Sequence, residues 1–287
     1  MHFTKMHGCG NDYIYVNCFE EQVNDPSSVS VRLSDRRKGV GSDGLVLILP
    51  SDTADFRMRI FNADGSEAPM CGNASRCVGR YLFERGLTDK KIIALETNSG
   101  IKTLDLKVEN GTVVSVSVDI GKADFTPASV PVITDKTFVI GEKADNVPLP
   151  NGSVICGATR TCLSVGTAHA VYFLPSETDV RSLRLDVIGP QSENAPCYPN
   201  RVNTEYAAIT DKGIVMRVWE RGSGETMACG TGASATAAAA VRLGLCEKNT
   251  DIPVIMDGGT LSIRIDASYG VTMTGPAEFV FDGDVAI

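Results

Sequence analysis

The residues of this chain best suited to chemistry are two cysteines, Cys71 and Cys229. Each is followed by glycine and a small polar residue, Cys71-Gly72-Asn73 and Cys229-Gly230-Thr231, and each precedes a stretch with helical spacing. The first turn of a helix offers unpaired backbone N–H groups and the positive end of the helix dipole, which bind a carboxylate and stabilise a thiolate. Two such helix starts facing each other would clamp one carboxylate and hold a thiol over each face of the adjacent carbon. Inverting a stereocentre α to a carboxylate by proton exchange needs a base on one face and an acid on the other, and the two exchange roles in the reverse direction. One thiolate and one thiol supply both, with titrations that are coupled and belong to the pair.

A single cysteine before a helix is more often structural than catalytic. Here the context recurs. The stretch from Met216 to Leu245 lies without a gap on Met58 to Leu87, an offset of 158 residues, and the pairs Arg59/Arg217, Glu67/Glu225, Cys71/Cys229, Gly72/Gly230 and Gly86/Gly244 are identical. Each copy reads strand, polar loop, Cys-Gly, then a helix closed by Gly-Leu, the pattern of a duplicated supersecondary unit. The loops differ. Glu220-Arg221 stands before Cys229 where Asn62-Ala63-Asp64 stands before Cys71. Glu220 could receive a substrate ammonium, and the Arg221 guanidinium a second carboxylate in bidentate fashion. His169, Asn11 and Asn203 are further candidates to line the cleft, although a histidine beside a β run is by itself more often a core residue. Cys77 falls on the apolar stripe of its helix and is assigned to packing.

The elements that must position these residues are mostly short β-prone runs separated by turn signals. In the first half they are Tyr13 to Asn17, Gly44 to Leu49, Phe56 to Phe61, Ile92 to Glu96, Ile101 to Val108 and Val113 to Ile120. In the second they are Arg160 to Val165, Ala170 to Leu174, Thr204 to Ile209, Ile214 to Trp219, Pro253 to Met256 and Leu261 to Ile265. One helix is expected in each half, Ala74 to Arg85 with Gly86 as its C-cap, and the alanine-rich Ala233 to Leu243, which reads as buried on all sides. Asn73 and Thr231 are expected near the N-caps. The proline-containing segment Lys122 to Asn151, with a strand at Thr137 to Ile140, is the natural crossover between halves. The fold class that follows is α+β: two homologous, pseudo-symmetric domains, each a mostly antiparallel curled sheet, barrel-like, around one central helix, with the active site in the cleft between them. The expected boundaries are residues 1–120 plus 276–287 for the Cys71 half and 121–275 for the Cys229 half, the final strand returning to pair with the first domain.

Composition limits the partners. A formal charge of −8 without a basic run makes nucleic acid or an anionic membrane surface an unsuitable partner, and a small molecule the better one. No stretch approaches the ~18 to 20 apolar residues of a membrane span, and the N-terminus lacks a signal-peptide pattern, which places the protein in the cytoplasm. Nine cysteines, an odd number with no C-x-x-C pair, argue against a disulfide framework and a zinc ribbon.

At these residues the chain resembles the diaminopimelate epimerase family. The motifs that carry the resemblance are His7-Gly8-Cys9-Gly10-Asn11-Asp12-Tyr13, Gly39-Val40-Gly41-Ser42-Asp43-Gly44, Phe61-Asn62-Ala63-Asp64-Gly65-Ser66, Met70-Cys71-Gly72-Asn73, Arg201-Val202-Asn203 and the run from Glu220 to Gly232. The similarity covers essentially the whole chain. It implies interconversion of LL- and meso-diaminopimelate, in the route to lysine and peptidoglycan, without pyridoxal phosphate or metal. Cys71 and Cys229 would be the acid/base pair, with His169 and Glu220 tuning their ionisation. Gly72, Asn73, Gly230 and Thr231 would hold the reacting carboxylate, and Asn11, Asn62, Asn203, Glu220 and Arg221 would read the rest of the substrate. The family pattern further implies a homodimer whose domains close over the ligand.

Two positions depart from the family pattern. Gly166-Thr167-Ala168-His169 stands where the family usually has Gly-Asn-Pro-His, so a side-chain amide expected near the distal carboxylate becomes the Thr167 hydroxyl. Ala74 replaces a glycine after Cys71-Gly72-Asn73. Both thiols are untouched, while distal recognition is altered. A racemase of another amino acid such as histidine is the nearest alternative, suggested only by Thr167. A noncatalytic amino acid binding protein on the same fold is the alternative from another class, and the presence of both cysteines speaks against it.

Overall fold

Alternating apolar residues make strands of nearly all the β-prone runs, and two cysteine-headed helices lie against them. The computed structural model describes residues 1–144, 147–148 and 154–287. Its chain divides into two units, residues 1–119 with 274–287 and residues 120–273.

The first unit holds β1 (His2–Gly8), β2 (Asn11–Asn17), α1 (Pro26–Ser34), β3 (Gly44–Leu49), β4 (Phe56–Asn62), β5 (Glu67–Ala68), α2 (Gly72–Glu84), β6 (Ile92–Thr97), β7 (Gly100–Glu109) and β8 (Thr112–Lys122), inside which the division falls. β1 pairs antiparallel with β2 on one side and with the strand Glu278–Asp284 on the other. From β2 the order continues through a parallel pair with β3, an antiparallel pair with β4, a parallel pair with β6, then antiparallel β7 and β8. Helix α2 packs on both β1 and β7, and it buries Cys77, Val78, Tyr81 and Leu82. A Cβ added at Gly79 would lie 3.2 Å from the Leu104 side chain, so the missing side chain lets the helix sit close on the sheet. Cys77 lies within the stripe, and burial pushes its thiol up to about 11. Helix α1 covers the other side, its Leu33 packed with Phe3, Ile14, Leu45 and Phe61.

The second unit repeats this plan with β9 (Glu142–Lys143), β10 (Val147–Pro148), β11 (Val154–Ile155), β12 (Thr159–Ser164), β13 (Ala168–Phe173), α3 (Leu185–Glu193), β14 (Asn203–Thr210), β15 (Gly213–Glu220), β16 (Gly224–Thr226), α4 (Gly230–Arg242), β17 (Asp251–Met256) and β18 (Gly259–Ile265). From β12 to β18 the pairings run antiparallel, parallel, antiparallel, parallel, antiparallel, the same sequence as from β1 to β7. Helix α4 is buried along nearly its whole length, as alanine on every face permits. Both central helices end alike. Gly86 and Gly244 adopt φ of +73° and +74°, and the next residue returns a backbone bond to the helix, Leu87 N to Leu82 O and Leu245 N to Ala240 O, each 2.9 Å.

Three local expectations change. The helices begin earlier than Ala74 and Ala233, because the cysteines themselves are the N-caps: Cys71 and Cys229 are extended (φ −138° and −124°), and their carbonyls accept from Ser75 N and Ala233 N at 2.9 Å. Asn73 and Thr231 therefore sit inside the first turn. Thr137 to Ile140 is not a strand; Val139 is buried and its carbonyl accepts one bond from Cys162 N at 2.8 Å, while the ladder with β12 forms two residues later, at β9. Pro150 and Asn151, the end of the expected crossover, lie outside the described residues. The helices α1 and α3 were not expected at all. Asp25-Pro26 does cap α1, with Ser28 N donating to Asp25 at 3.2 Å. The serine- and valine-rich stretch that follows has little helix propensity of its own. α3 carries Pro190 inside it.

Candidate active site

In the first unit, the loop from β5 delivers Cys71 to the start of α2. The Cys71 Sγ lies 3.5 Å from Asn11 Oδ1, which also accepts from Asn73 Nδ2 at 3.3 Å. Asn11 sits at the start of β2 and is held from behind: its Nδ2 donates to Asp43 Oδ2 at 2.8 Å, and Asp43 also accepts from Asp12 N at 3.1 Å. Arg36 bridges Asp12 and Asp43 at 2.6 and 2.8 Å, and Lys5 pairs with Asp12 at 2.6 Å. These cations hold the Asp12 carboxyl below its ordinary value, against its burial. Asp43, by contrast, is raised by burial and by the charge of Asp12. Asn73 is buried, and its Oδ1 has no hydrogen-bond partner among the described residues, a polar cost that a ligand at the helix start could relieve. Asn62 ends β4 with its Nδ2 donating to Ser66 Oγ at 3.0 Å.

The second unit arranges its counterpart differently. Cys229 Sγ accepts from Gly232 N at 3.3 Å and lies 3.4 Å from Thr231 Oγ1. Burial pushes the Cys229 thiol well above its ordinary range, the charges of Glu220 and Glu205 push the same way, and Thr231 and Gly232 only partly offset them. Glu220, at the end of β15, accepts from Thr226 and is raised by burial, with Cys229 as a further hydrogen-bond partner. His169 on β13 is wholly buried: Nδ1 meets Glu205 Oε1 at 2.7 Å and Nε2 meets Thr167 Oγ1 at 2.8 Å. The Thr167 hydroxyl is therefore engaged within the unit, with His169. Asn203 is likewise engaged at both ends, accepting from Arg221 N at 2.7 Å and donating to Ala168 O at 3.2 Å. It ties the Arg221 loop to β13. The exposed Arg221 guanidinium donates to Asn200 O at 3.2 Å.

The structure thus gathers Asn11, Cys71 and Asn73 in one unit, and Cys229, Thr231, Glu220 and His169 in the other. Asn62 stands on the strand and loop before Cys71, and Arg221 and Asn203 on those before Cys229. Sequence reasoning missed two supports. Glu205 is a carboxylate near the start of the β-prone run Thr204 to Ile209, directly before Tyr206-Ala207-Ala208-Ile209, and that anomaly was its signal. Glu193 on α3 accepts from Trp219 Nε1 at 2.7 Å and Gly222 N at 3.0 Å and pairs with Arg201 at 3.0 Å, anchoring both flanks of Arg221. Nothing in the local sequence marks it, because two of its three partners, Trp219 and Gly222, lie 26 and 29 residues further along the chain.

Comparison with solved structures places the fold. A phenazine biosynthesis protein of the PhzF family from Bacillus anthracis superposes with a TM-score of 0.72 over 100% of this chain and 99% of its own, at 16% identity. A probable proline racemase from Agrobacterium radiobacter gives 0.68 over 100% and 93%, also at 16%. The protein has the fold these two share, with one cysteine-capped helix in each of its units. The sequence model of the family "Diaminopimelate epimerase" matches residues 3–126 and 161–280. A diaminopimelate epimerase from Acetivibrio thermocellus is 48% identical over 99% of this chain and 98% of the relative, and one from Bacteroides thetaiotaomicron is 49% identical over 99% and 97%. The chain belongs to the diaminopimelate epimerase family.

Proposed function

We propose that the protein epimerises LL-diaminopimelate to meso-diaminopimelate, and that Cys71 and Cys229 are its two acid/base residues. The observation that carries this reading is a thiol at the N-cap of the central helix in each of two units of matching topology, in a chain that is nearly half identical to diaminopimelate epimerases. Each of two functional domains supplies one half of the site, residues 1–120 with 276–287 carrying Cys71 and residues 121–275 carrying Cys229, bounds within two residues of the structural units. The reacting carboxylate is held by the helix-start N–H groups at Gly72, Asn73, Gly230 and Thr231. Glu220 and Arg221 meet the substrate's ammonium and distal carboxylate, with Asn11 and Asn62 completing the recognition from the first unit.

The raised thiol of Cys229 makes it the resting acid. Cys71 as thiolate removes the α-proton, the α-carbon is left as a carbanion stabilised by the clamped carboxylate, and Cys229 delivers its proton to the opposite face. The product leaves with Cys71 protonated and Cys229 ionised, and exchange of these protons with water resets the pair for the next forward turnover. Asn203 and Thr167 act as positioning residues behind Arg221 and His169. The enzyme works in the cytoplasm as a homodimer, as its family implies; light scattering of the purified protein distinguishes dimer from monomer.

The test is incubation with LL-diaminopimelate in deuterated water under reducing conditions. Deuterium should enter at the α-carbon as the meso isomer forms. Absence of incorporation sinks the reading, and incorporation into histidine alone moves it to a different racemase. Cys71→Ala and Cys229→Ala should each abolish turnover; near-normal turnover in either excludes the two-base scheme.

A further inference from the structure

The strand registers of the two units align residue by residue. Tyr13 pairs with Gly44 as His169 pairs with Asn203, and Leu45 pairs with Phe61 as Thr204 pairs with Trp219. His169 therefore stands where the first unit has Tyr13, and Glu205 where it has Val46. The 158-residue repeat sets Gly232 where it has Ala74. Val46 and Ala74 are fully buried, so the same topology forms around two small apolar side chains at these positions. Nothing in the fold calls for a carboxylate at residue 205.

The carboxylate is also expensive where it lies. Glu205 is wholly buried; Oε1 has His169 Nδ1 at 2.7 Å, and Oε2 has no hydrogen-bond partner among the described residues. A buried charge with half its bonds unmade opposes folding, and such costs persist where they serve a site. The surroundings are cut to admit it. A Cβ at Gly232 would meet Glu205 Oε1 at 2.9 Å and Cys229 Sγ at 3.4 Å, so the missing side chain leaves room for the carboxylate beside the first turn that Cys229 caps.

We propose that Glu205 is a positioning residue for the half-site of Cys229: it holds the His169 imidazole with a proton on Nδ1, and so fixes the Nε2 edge that meets the Thr167 hydroxyl. A carboxylate offers no proton, so a short contact to it requires one on the ring nitrogen. With that bond made, the ring cannot rotate, and Thr167 at the half-buried end of the chain of contacts is fixed with it. The inference rests on the epimerase reading and deepens it, by giving the second half-site a support that the first half-site lacks.

Glu205→Val, which copies the first unit, and Glu205→Gln, which keeps an acceptor oxygen, provide the test. The chain has three histidines, so 15N-histidine spectra resolve His169, assigned with His169→Gln. Wild type should carry the Nδ1 proton, Glu205→Gln should retain it, and Glu205→Val should lose it for the Nε2-protonated form. Turnover of LL-diaminopimelate by Glu205→Val should fall on the order of 10- to 100-fold at unchanged KM, as a misplaced catalytic environment does, with partial rescue in Glu205→Gln. A wild-type ring without the Nδ1 proton overturns the proposal, and so does a folded Glu205→Val with wild-type turnover. Should Glu205→Val fail to fold, the ring signals and turnover of Glu205→Gln decide: loss of the Nδ1 proton with full turnover overturns it. An inactive wild-type protein would defeat the epimerase reading instead, and the ring signals would still report on Glu205.

Discussion

Cys229 lies beside Glu220 and Glu205 in a buried position, and each of those facts keeps its proton on. Thiolate, not thiol, is what alkylating reagents attack. Near neutral pH iodoacetamide should therefore label the exposed Cys156 well before Cys229, with Cys229 labelling growing only as pH climbs beyond the ordinary thiol range. Peptide mass spectrometry reads both sites in one sample. Glu220→Gln removes one of the two charges, so the pH at which Cys229 begins to react should fall; an unchanged or higher onset would contradict the electrostatic origin. Both cysteines were legible from their recurrence in Cys-Gly-Asn and Cys-Gly-Thr. Their surroundings were not. The pairings of His169 with Glu205 and of Asn203 with the Arg221 backbone depend on strand register, which a linear reading does not supply.

At the scale of elements, the two central helices share one closing device and differ in their interiors. Gly86 and Gly244 hold left-handed backbone, and a Cβ at either would meet nothing within 4 Å among the described residues. Replacing either with alanine should cost about 1–2 kcal/mol through backbone conformation alone, measured as a lower urea midpoint at constant slope. Gly232→Ala is a different case, because its methyl group meets Glu205 at 2.9 Å. That variant should lose activity out of proportion to its loss of stability. The sequence marked α2 and α4 as helices and most long strands as β-prone runs between turn signals, though not β1 or Gly270–Gly275. It concealed α1 and α3, whose serine, proline and glycine content opposes helix formation until the sheet beneath supplies a packing surface. For α3 that surface is visible at Gly189, where a Cβ would lie 2.3 Å from the Trp219 ring.

For the whole molecule, the ordering of segments matters more than any single contact. The strand Glu278–Asp284 completes the first unit: it pairs with β1, and its Phe279 packs under the Arg80 and Arg85 guanidinium groups, 5.2 and 4.9 Å from the ring centre. Deleting residues 277–287 should strip amide-exchange protection from β1 and β2 while leaving β14 and β15 protected, which hydrogen exchange with mass spectrometry resolves. Retained protection in β1 would mean that its pairing with β2 suffices. During synthesis this topology delays completion of the half that is made first. Residues 120–273 are all translated before the partner of β1, so the half that is made first waits, one sheet edge open, until the last strand of the chain follows the second half out.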